Sequence, residues 1–341
     1  MRDLVVAGGG PVGLATALHA ARAGLDVEVR EPRAGVVDKA CGEGLMPGAV
    51  AALADLGVDP PGVDLLGIRY RGGGTEARAD FRAGPGRGVR RTTLHAALRD
   101  AVAAAGIPVV ERRVRTVENA ADHVLVDSEP VRHLVAADGL HSAVRRLTGL
   151  EAPRGRTPRR YGQRLHLVAP PWSSHVEVHW SAVGEAYVTP VAPDLVGVAV
   201  LTTDRRPLAA LLPFFGELAE RVATAEAGPV RGAGPLRQRT RARVAGRVLL
   251  VGDAAGYVDA LTGEGLALGL AQAEAAVAAV AADRPASYER TWRRLTRRHD
   301  LLTAGLLTAT RPAPVRTRIV PAARRLPWAF DWAVDQLARP A

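Results

Sequence analysis

Three groups of residues in this 341-residue chain have types and spacings that could do chemistry. The first is Gly8-Gly9-Gly10-Pro11-Val12-Gly13. Gly8 permits a tight turn, Gly10 lets the backbone approach a pyrophosphate, and Gly13 lets a helix pack closely on a strand, so that helix N-terminal amides face the phosphates. Glu31 follows, with seventeen residues between it and Gly13, where a carboxylate reaches a ribose hydroxyl. The second group is a pair of apolar runs, Leu134-Val135-Ala136-Ala137 and Val248-Leu249-Leu250-Val251, which end at Asp138-Gly139 and Gly252-Asp253. A carboxylate at the carboxyl end of a strand can accept hydrogen bonds from a polyol. The third is Lys39-Ala40-Cys41-Gly42-Glu43-Gly44-Leu45, which holds the only lysine and the only cysteine. A single thiol excludes an internal disulfide and argues against a cysteine metal cluster. His175, Glu177 and His179 alternate with Val176, Val178 and Trp180 and so share one face of a strand. A metal or base pair could be read there, but a solvated outer face is expected, and no metal is.

The elements that must position these groups follow from the pattern. Leu4-Val5-Val6-Ala7 reads as a buried strand, residues 12–23 as a helix closed by Gly24, and Val27-Glu28-Val29-Arg30-Glu31 as the next strand. Strand, helix and strand in that order imply a parallel sheet. Residues 47–56 and 91–105 read as helices, 109–117 as a strand, and 62–87, rich in Gly and Arg, as a hairpin inserted from a second sheet. A linker runs over 151–160. Short alternating segments at 165–168, 176–180, 186–189 and 196–201 predict an antiparallel sheet. The strand at 247–251 and the Ala-rich helix at 265–282 return to the first domain. Beyond Pro285 the chain reads as helical, basic and proline-broken, with Trp328, Phe330 and Trp332 near its end.

Composition narrows the class. The chain is 48% hydrophobic and 23% charged, enough apolar material for a buried core, and has no apolar run long enough to span a membrane. No signal peptide fits, so a cytoplasmic location is expected. The formal charge of +10 is almost all arginine, but only 4% of residues are aromatic and none are interleaved with basic residues as base-stacking proteins require, so nucleic acid is not an expected partner.

The glycine motif, the Asp138-Gly139 motif and the Gly252-Asp253 motif, in this order and spacing, resemble the group A FAD-dependent monooxygenases of the para-hydroxybenzoate hydroxylase fold. Residues 39–45 and 252–265 are similar to the geranylgeranyl reductase branch, with Ala40 and Ala260 where that branch carries proline. The resemblance implies an α/β fold: an FAD-binding Rossmann-like (GR2-type) domain at 1–65, 88–160 and 236–300, an inserted antiparallel-sheet substrate domain at 66–87 and 161–235, and a helical C-terminal segment at 301–341. It implies FAD contacts from Gly8, Gly10, Pro11, Val12, Gly13, Glu31, Pro32, Arg33, Lys39, Ala40, Cys41, Gly42, Arg91, Val114, Asp138, Asp253, Gly263, Glu264, Gly265 and Leu266. Cys41 would sit beside the isoalloxazine ring.

The expected reaction is hydroxylation, driven by NADPH or NADH and O2, of an aromatic or polyketide-like small molecule, including a lipidic phenolic one, in secondary metabolism. With one glycine fingerprint the nicotinamide would be a transient reductant. Cys41, Tyr187 and His166 are the candidate catalytic residues, the last two as acceptors of a phenolic proton. The alternatives are a flavin-dependent reductase of carbon–carbon double bonds and a non-catalytic flavin-binding redox sensor. The Trp-x-Trp-x-Ile-Pro motif of the flavin halogenases is absent. The reductases line a prenyl channel with an aromatic series ending in Phe-Pro, whereas this chain has Glu185-Ala186-Tyr187-Val188-Thr189-Pro190, which argues against a long prenyl substrate. A monomer or homodimer is expected. The C-terminal aromatic segment would pack on the core, with membrane contact the less favoured reading.

Overall fold

The computed structural model describes residues 1–153, 155 and 157–338; Arg154 and Arg156 of the linker and the last three residues of the C-terminal segment lie outside the described residues. Strand Arg2–Ala7 carries Leu4, Val5 and Val6 with no exposed surface, because a central parallel strand is covered on both faces. It pairs in parallel with Val27–Arg30 on one side and Glu129–Ala136 on the other. Val109–Val110 and Val248–Leu250 extend this parallel core outward, and Val244–Ala245 adds an antiparallel edge. The strand expected at 109–117 is instead two short ones, Val109–Val110 and Val117–Asn119, the second belonging to an antiparallel ribbon with Val124–Val126. The charged run Glu111-Arg112-Arg113 between them gives the sheet nothing apolar to bury, so the pairing breaks there.

Helix Pro11–Arg22 starts with proline in its first turn, where no amide donor is lost, and packs its alanine-rich face against helix Gly265–Ala281. The approach of strand turn to helix is as tight as the glycine spacing predicts. A Cβ on Gly13 would lie 1.9 Å from the carbonyl oxygen of Gly8, and Gly8 itself has φ +106°.

The second sheet is ordered Glu226–Ala227, Tyr161–Val168, Leu195–Thr202, Gly184–Ala192, Val176–Ser181, Gly67–Gly72 and Thr75–Asp80. The expected inserted hairpin is its far edge, joined in parallel to Val176–Ser181 because it arrives from the other domain. One face is roofed by residues 208–224, which bury Leu165, Val188, Val198 and Val200 against Leu211, Phe215 and Leu218. On the other face Ile68, Tyr70, Val178 and Trp180 meet Leu261 and the C-terminal helices Ile319–Arg325 and Pro327–Ala338. A third, three-stranded sheet has no clear signature in the sequence: Gly44–Leu45, Gly86–Gly88 and Val63–Leu65. It joins the two domains, and a Cβ on Gly88 would lie 1.7 Å from the carbonyl oxygen of Pro190.

The face carrying His175, Glu177 and His179 is not solvated, contrary to expectation. All three are buried, Glu177 with only 1% exposure. Its Oε2 accepts from His179 Nε2 at 3.1 Å and Trp172 Nε1 at 3.1 Å, with Arg69 and Arg71 each 3.8 Å from Oε1, while His175 pairs with Asp80 at 2.8 Å. The roof formed by residues 208–224 makes a solvent-facing strand pattern into a buried ion cluster, which the linear sequence could not show.

Candidate active site

The glycine turn is braced from two sides. Gly9 N–H donates to Glu31 Oε2 at 2.9 Å, and the Gly9 carbonyl accepts from His95 Nε2 at 2.7 Å. His95 Nδ1 in turn accepts from Val37 N–H at 3.1 Å, which leaves the ring proton on Nε2. Burial pulls the His95 pKa down and so favours this neutral form. His95, on helix Arg91–Ala104, was not among the expected site residues; its only sequence signal is its place one turn after Arg91. Burial opposes ionisation of Glu31, but Arg33 and the Gly9 amide outweigh it and hold the carboxyl low. Pro32 and Arg33 lie exposed beside it.

The turn faces polar groups left without partners. A Cβ on Gly10 would meet only Arg91 Nη2, at 3.9 Å, so the backbone there is open to a ligand. Arg91 is buried, yet its Nη1 has no hydrogen-bond partner, and Asp138 Oδ1 is likewise buried and unpartnered. The other Asp138 oxygen accepts from Ala143 N–H at 2.7 Å and Val144 N–H at 3.1 Å, capping helix Ala143–Leu147. Burial pushes the Asp253 carboxyl up, against the pull of Lys39, Arg91 and Arg145. Arg145, with no exposed surface, fastens the two Asp-Gly turns together, donating to Ala254 O at 3.1 Å and Leu140 O at 3.0 Å. Lys39, Cys41 and Gly42 are exposed between these turns, and Ala40 is half-buried. Orphaned donors and acceptors, an open glycine and nearby cations fit a bound dinucleotide diphosphate. Val114, also expected in the site, is buried in the core of the first domain, and Pro11 and Val12 open the first helix, with Val12 against Gly252 and Gly269. Gly263, at φ +71°, and Glu264 precede helix Gly265–Ala281, whose first residues are Gly265 and Leu266; Glu264 Oε2 is 2.9 Å from His299 Nδ1.

Residues 41–44 form a loop that three distant elements pin. Glu43, buried and at φ +61°, accepts from Arg91 N–H at 2.8 Å through Oε1 and from His166 Nε2 at 2.7 Å through Oε2. Arg164 Nη1 donates to His166 Nδ1 at 3.0 Å, so both ring nitrogens of His166 are engaged. Thr189 Oγ1 donates to Gly42 O at 2.9 Å. Cys41 is exposed at the edge of the cleft bounded by the glycine turn, Arg91, Asp138 and Asp253, but the protein around its sulfur pushes the thiol up, which favours thiol over thiolate.

On the sheet face towards this loop, Glu185, Tyr187 and Thr189 alternate along strand Gly184–Ala192 and share one side. The Tyr187 hydroxyl donates to Leu261 O at 2.9 Å, and burial raises its pKa well above the usual phenol value, so it is a fixed donor rather than a base. Glu185 is wholly buried. One oxygen takes Arg160 Nη2, the other has no partner, and Arg160 Nε lies 3.2 Å from Asp259. Burial pushes the Glu185 pKa up to about 7 despite Arg160. Tyr70 and Tyr187 are close enough for its charge to raise both phenols. Glu185 was read from the sequence only as a departure from an aromatic series; its partner Arg160, and Asp259 paired to the same guanidinium, are brought together by the fold.

No family model matches the chain. Among curated proteins it is 32% identical to a menaquinone reductase of Mycobacterium tuberculosis over 79% of this chain and 74% of that protein. It is 29% identical to digeranylgeranylglycerophospholipid reductase 1 of Methanothermobacter thermautotrophicus over the same shares. Among solved structures, a flavin-dependent brominase triple mutant superposes with a TM-score of 0.85 at 17% identity, covering 99% of this chain and 94% of that one. The p-nitrophenol 4-monooxygenase of Pseudomonas putida superposes at 0.77 and 21% identity, covering 99% and 95%. These structures share the fold of an FAD-binding domain with an inserted sheet. By its sequence, its glycine turn and its fold, this chain belongs to the family of flavin-dependent oxidoreductases that includes the mycobacterial menaquinone reductases.

Proposed function

We propose that this oxidoreductase is an NAD(P)H-consuming, FAD-dependent hydroxylase of a phenolic small molecule with an apolar portion. The observation that carries the reading is Glu185, a buried carboxyl with one free oxygen and a pKa near 7, in the segment where the prenyl reductases resembled by this chain carry an aromatic series. Hydroxylation of a phenol needs an acceptor for the phenolic proton, and a base matched to neutral pH is the effective one. Reduction of an isolated prenyl double bond has no such proton to remove. Arg160 keeps the carboxylate accessible to ionisation, while Tyr70, Trp180 and Phe330 supply an aromatic wall, with ring centroids 5.6 and 4.6 Å from Tyr70.

In this reading the 8–13 turn and Arg91 hold the FAD diphosphate, Glu31 the adenosine ribose, Asp253 the ribityl chain, and residues 41–42 and 263–266 the ring. Bound FAD supplies two-electron redox chemistry and, once reduced, the activation of O2. The balance is substrate, O2, NAD(P)H and a proton giving hydroxylated substrate, NAD(P)⁺ and water. The chain itself orients the phenol, takes its proton at Glu185, and keeps water out by closing the sheet face with the C-terminal helices.

The test offers a panel of alkylphenols with NADPH or NADH under isotopically heavy O2 and, separately, without O2. The expected product gains one heavy oxygen and does not form anaerobically. A second reading, double-bond reduction, is favoured by the names of the sequence relatives. Anaerobic product carrying two extra hydrogens would establish it and remove the hydroxylase.

A further inference from the structure

Five of the twelve exposed large apolar side chains among the described residues lie in the C-terminal segment, both exposed tryptophans among them. Of its large apolar side chains, Leu301, Val315, Leu326, Trp328 and Trp332 are exposed, the last three by 50%, 72% and 55%. Helix Pro327–Ala338 is two-sided. Phe330, Val334 and Ala338 recur at helical spacing on the inner side and are buried, while Trp328 and Trp332, four apart, share the outer side. Directly before the helix come Arg324 and Arg325, both exposed, with Arg311 and Arg318 exposed further back; none of the four makes a side-chain ion pair among the described residues. Asp331 and Asp335 are the helix's own acids, both half-buried.

We propose that residues 324–332 are a docking surface for an anionic lipid bilayer. Two indoles one turn apart beside a leucine suit the boundary between headgroups and acyl chains, and the adjoining arginines suit lipid phosphates. A second copy of the chain would set these arginines against their own kind, which lipid phosphates would instead neutralise. No helix among the described residues is long and apolar enough to cross a membrane, so the contact is with one surface.

The inner side of the same helix reaches the substrate face. Phe330 stacks on Tyr70, which touches Trp180, and a groove of about 380 Å³ lined by Arg78, Ala79, Asp80, Phe81, Arg82 and Asp331 opens beside it. The docking surface stands whichever reaction the site performs.

The full-length flavoprotein is sedimented with sucrose-loaded vesicles of phosphatidylcholine alone or mixed with phosphatidylglycerol. Pelleting with the anionic vesicles, weakened by salt, is expected. Trp328→Ser with Trp332→Ser should cut the affinity at least about tenfold, Trp328→Phe with Trp332→Phe should restore it in part, and Arg324→Gln with Arg325→Gln should abolish the preference for anionic lipid. Flavin content and thermal midpoint check that the variants fold. If the serine variant does not, quenching of wild-type tryptophan fluorescence by brominated phosphatidylglycerol decides. Three results overturn the proposal: no pelleting or quenching, equal binding by a folded serine variant, or a concentration-dependent dimer that the serine variant abolishes.

Discussion

Glu185 is where residue chemistry departs furthest from a buried apolar sheet. Its carboxyl has a raised pKa, about 7 against 4.5, because burial penalises the anion more than Arg160 favours it. The sign follows directly. The stability it contributes is fully present below about pH 4.5 and is lost as pH rises through 7, by about 3 kcal/mol in all. Glu185→Gln, which cannot ionise, should therefore melt higher than wild type at pH 8.5 and show a smaller gap at pH 5; equal gaps at both values would contradict the burial argument. The same variant should lose about a hundredfold in turnover of a phenol, with the alkaline rise of the rate removed. The glycine turn was legible because its constraints are local: Gly13→Ala would force a Cβ to 1.9 Å from Gly8 O and should yield protein without visible flavin absorbance. His95, the His166–Glu43 pair and Glu185 with Asp259 were not legible. The bonds involved span 86 residues for His95, 123 for His166 and 25 for Glu185 with Arg160, and a buried histidine has no periodic signature that separates it from a surface one.

At the scale of elements, the strands and helices of the dinucleotide domain were readable from continuous apolar runs and helical spacing. The three-stranded sheet through Gly44–Leu45 was not, because two- and three-residue strands rich in glycine carry no alternation. That sheet holds the 41–44 loop, and His166 holds its buried carboxylate. His166→Ala would leave the Glu43 oxygen without its donor in a site closed to water, costing about 3 kcal/mol. Urea unfolding should register the loss, and hydrogen exchange should speed most at amides 42–44, while those of Arg2–Ala7 speed no more than the global change requires. The C-terminal helices follow different physics. Helix Pro327–Ala338 is tied down mainly by Phe330 and Val334 on the edge hairpin, so Phe330→Ala should free it locally before the molecule unfolds. Limited proteolysis should then cut between 310 and 327 under conditions that leave wild type whole. An unchanged cleavage pattern would mean the helix is held by contacts beyond this cluster.

For the whole molecule, the decisive feature is that neither sheet owns the cleft. The dinucleotide domain supplies the glycine turn, Glu31, Asp138 and Asp253, while the substrate sheet supplies the Thr189 and His166 anchors of the 41–44 loop and the Tyr187 bond to Leu261 O. The chain also crosses between them more than once, so that the hairpin Gly67–Gly72 with Thr75–Asp80 cannot leave its sheet without pulling on the Cys41 loop. A ligand filling the cleft therefore stabilises both sheets at once. At a hundredfold excess over its dissociation constant, FAD should add about 2.7 kcal/mol to the native state, and that increment should appear in every probe. In a variant with Trp292, Trp328 and Trp332 each replaced by Phe, the remaining Trp172 and Trp180 report the substrate sheet, and the fluorescence of copurified flavin reports the cleft. Their thermal transitions should coincide without added FAD and shift upward together with it. If the tryptophan signal instead melted first and ignored FAD, the two sheets would be independent units, and the anchors from His166 and Thr189 would be contacts without energetic consequence for cofactor binding.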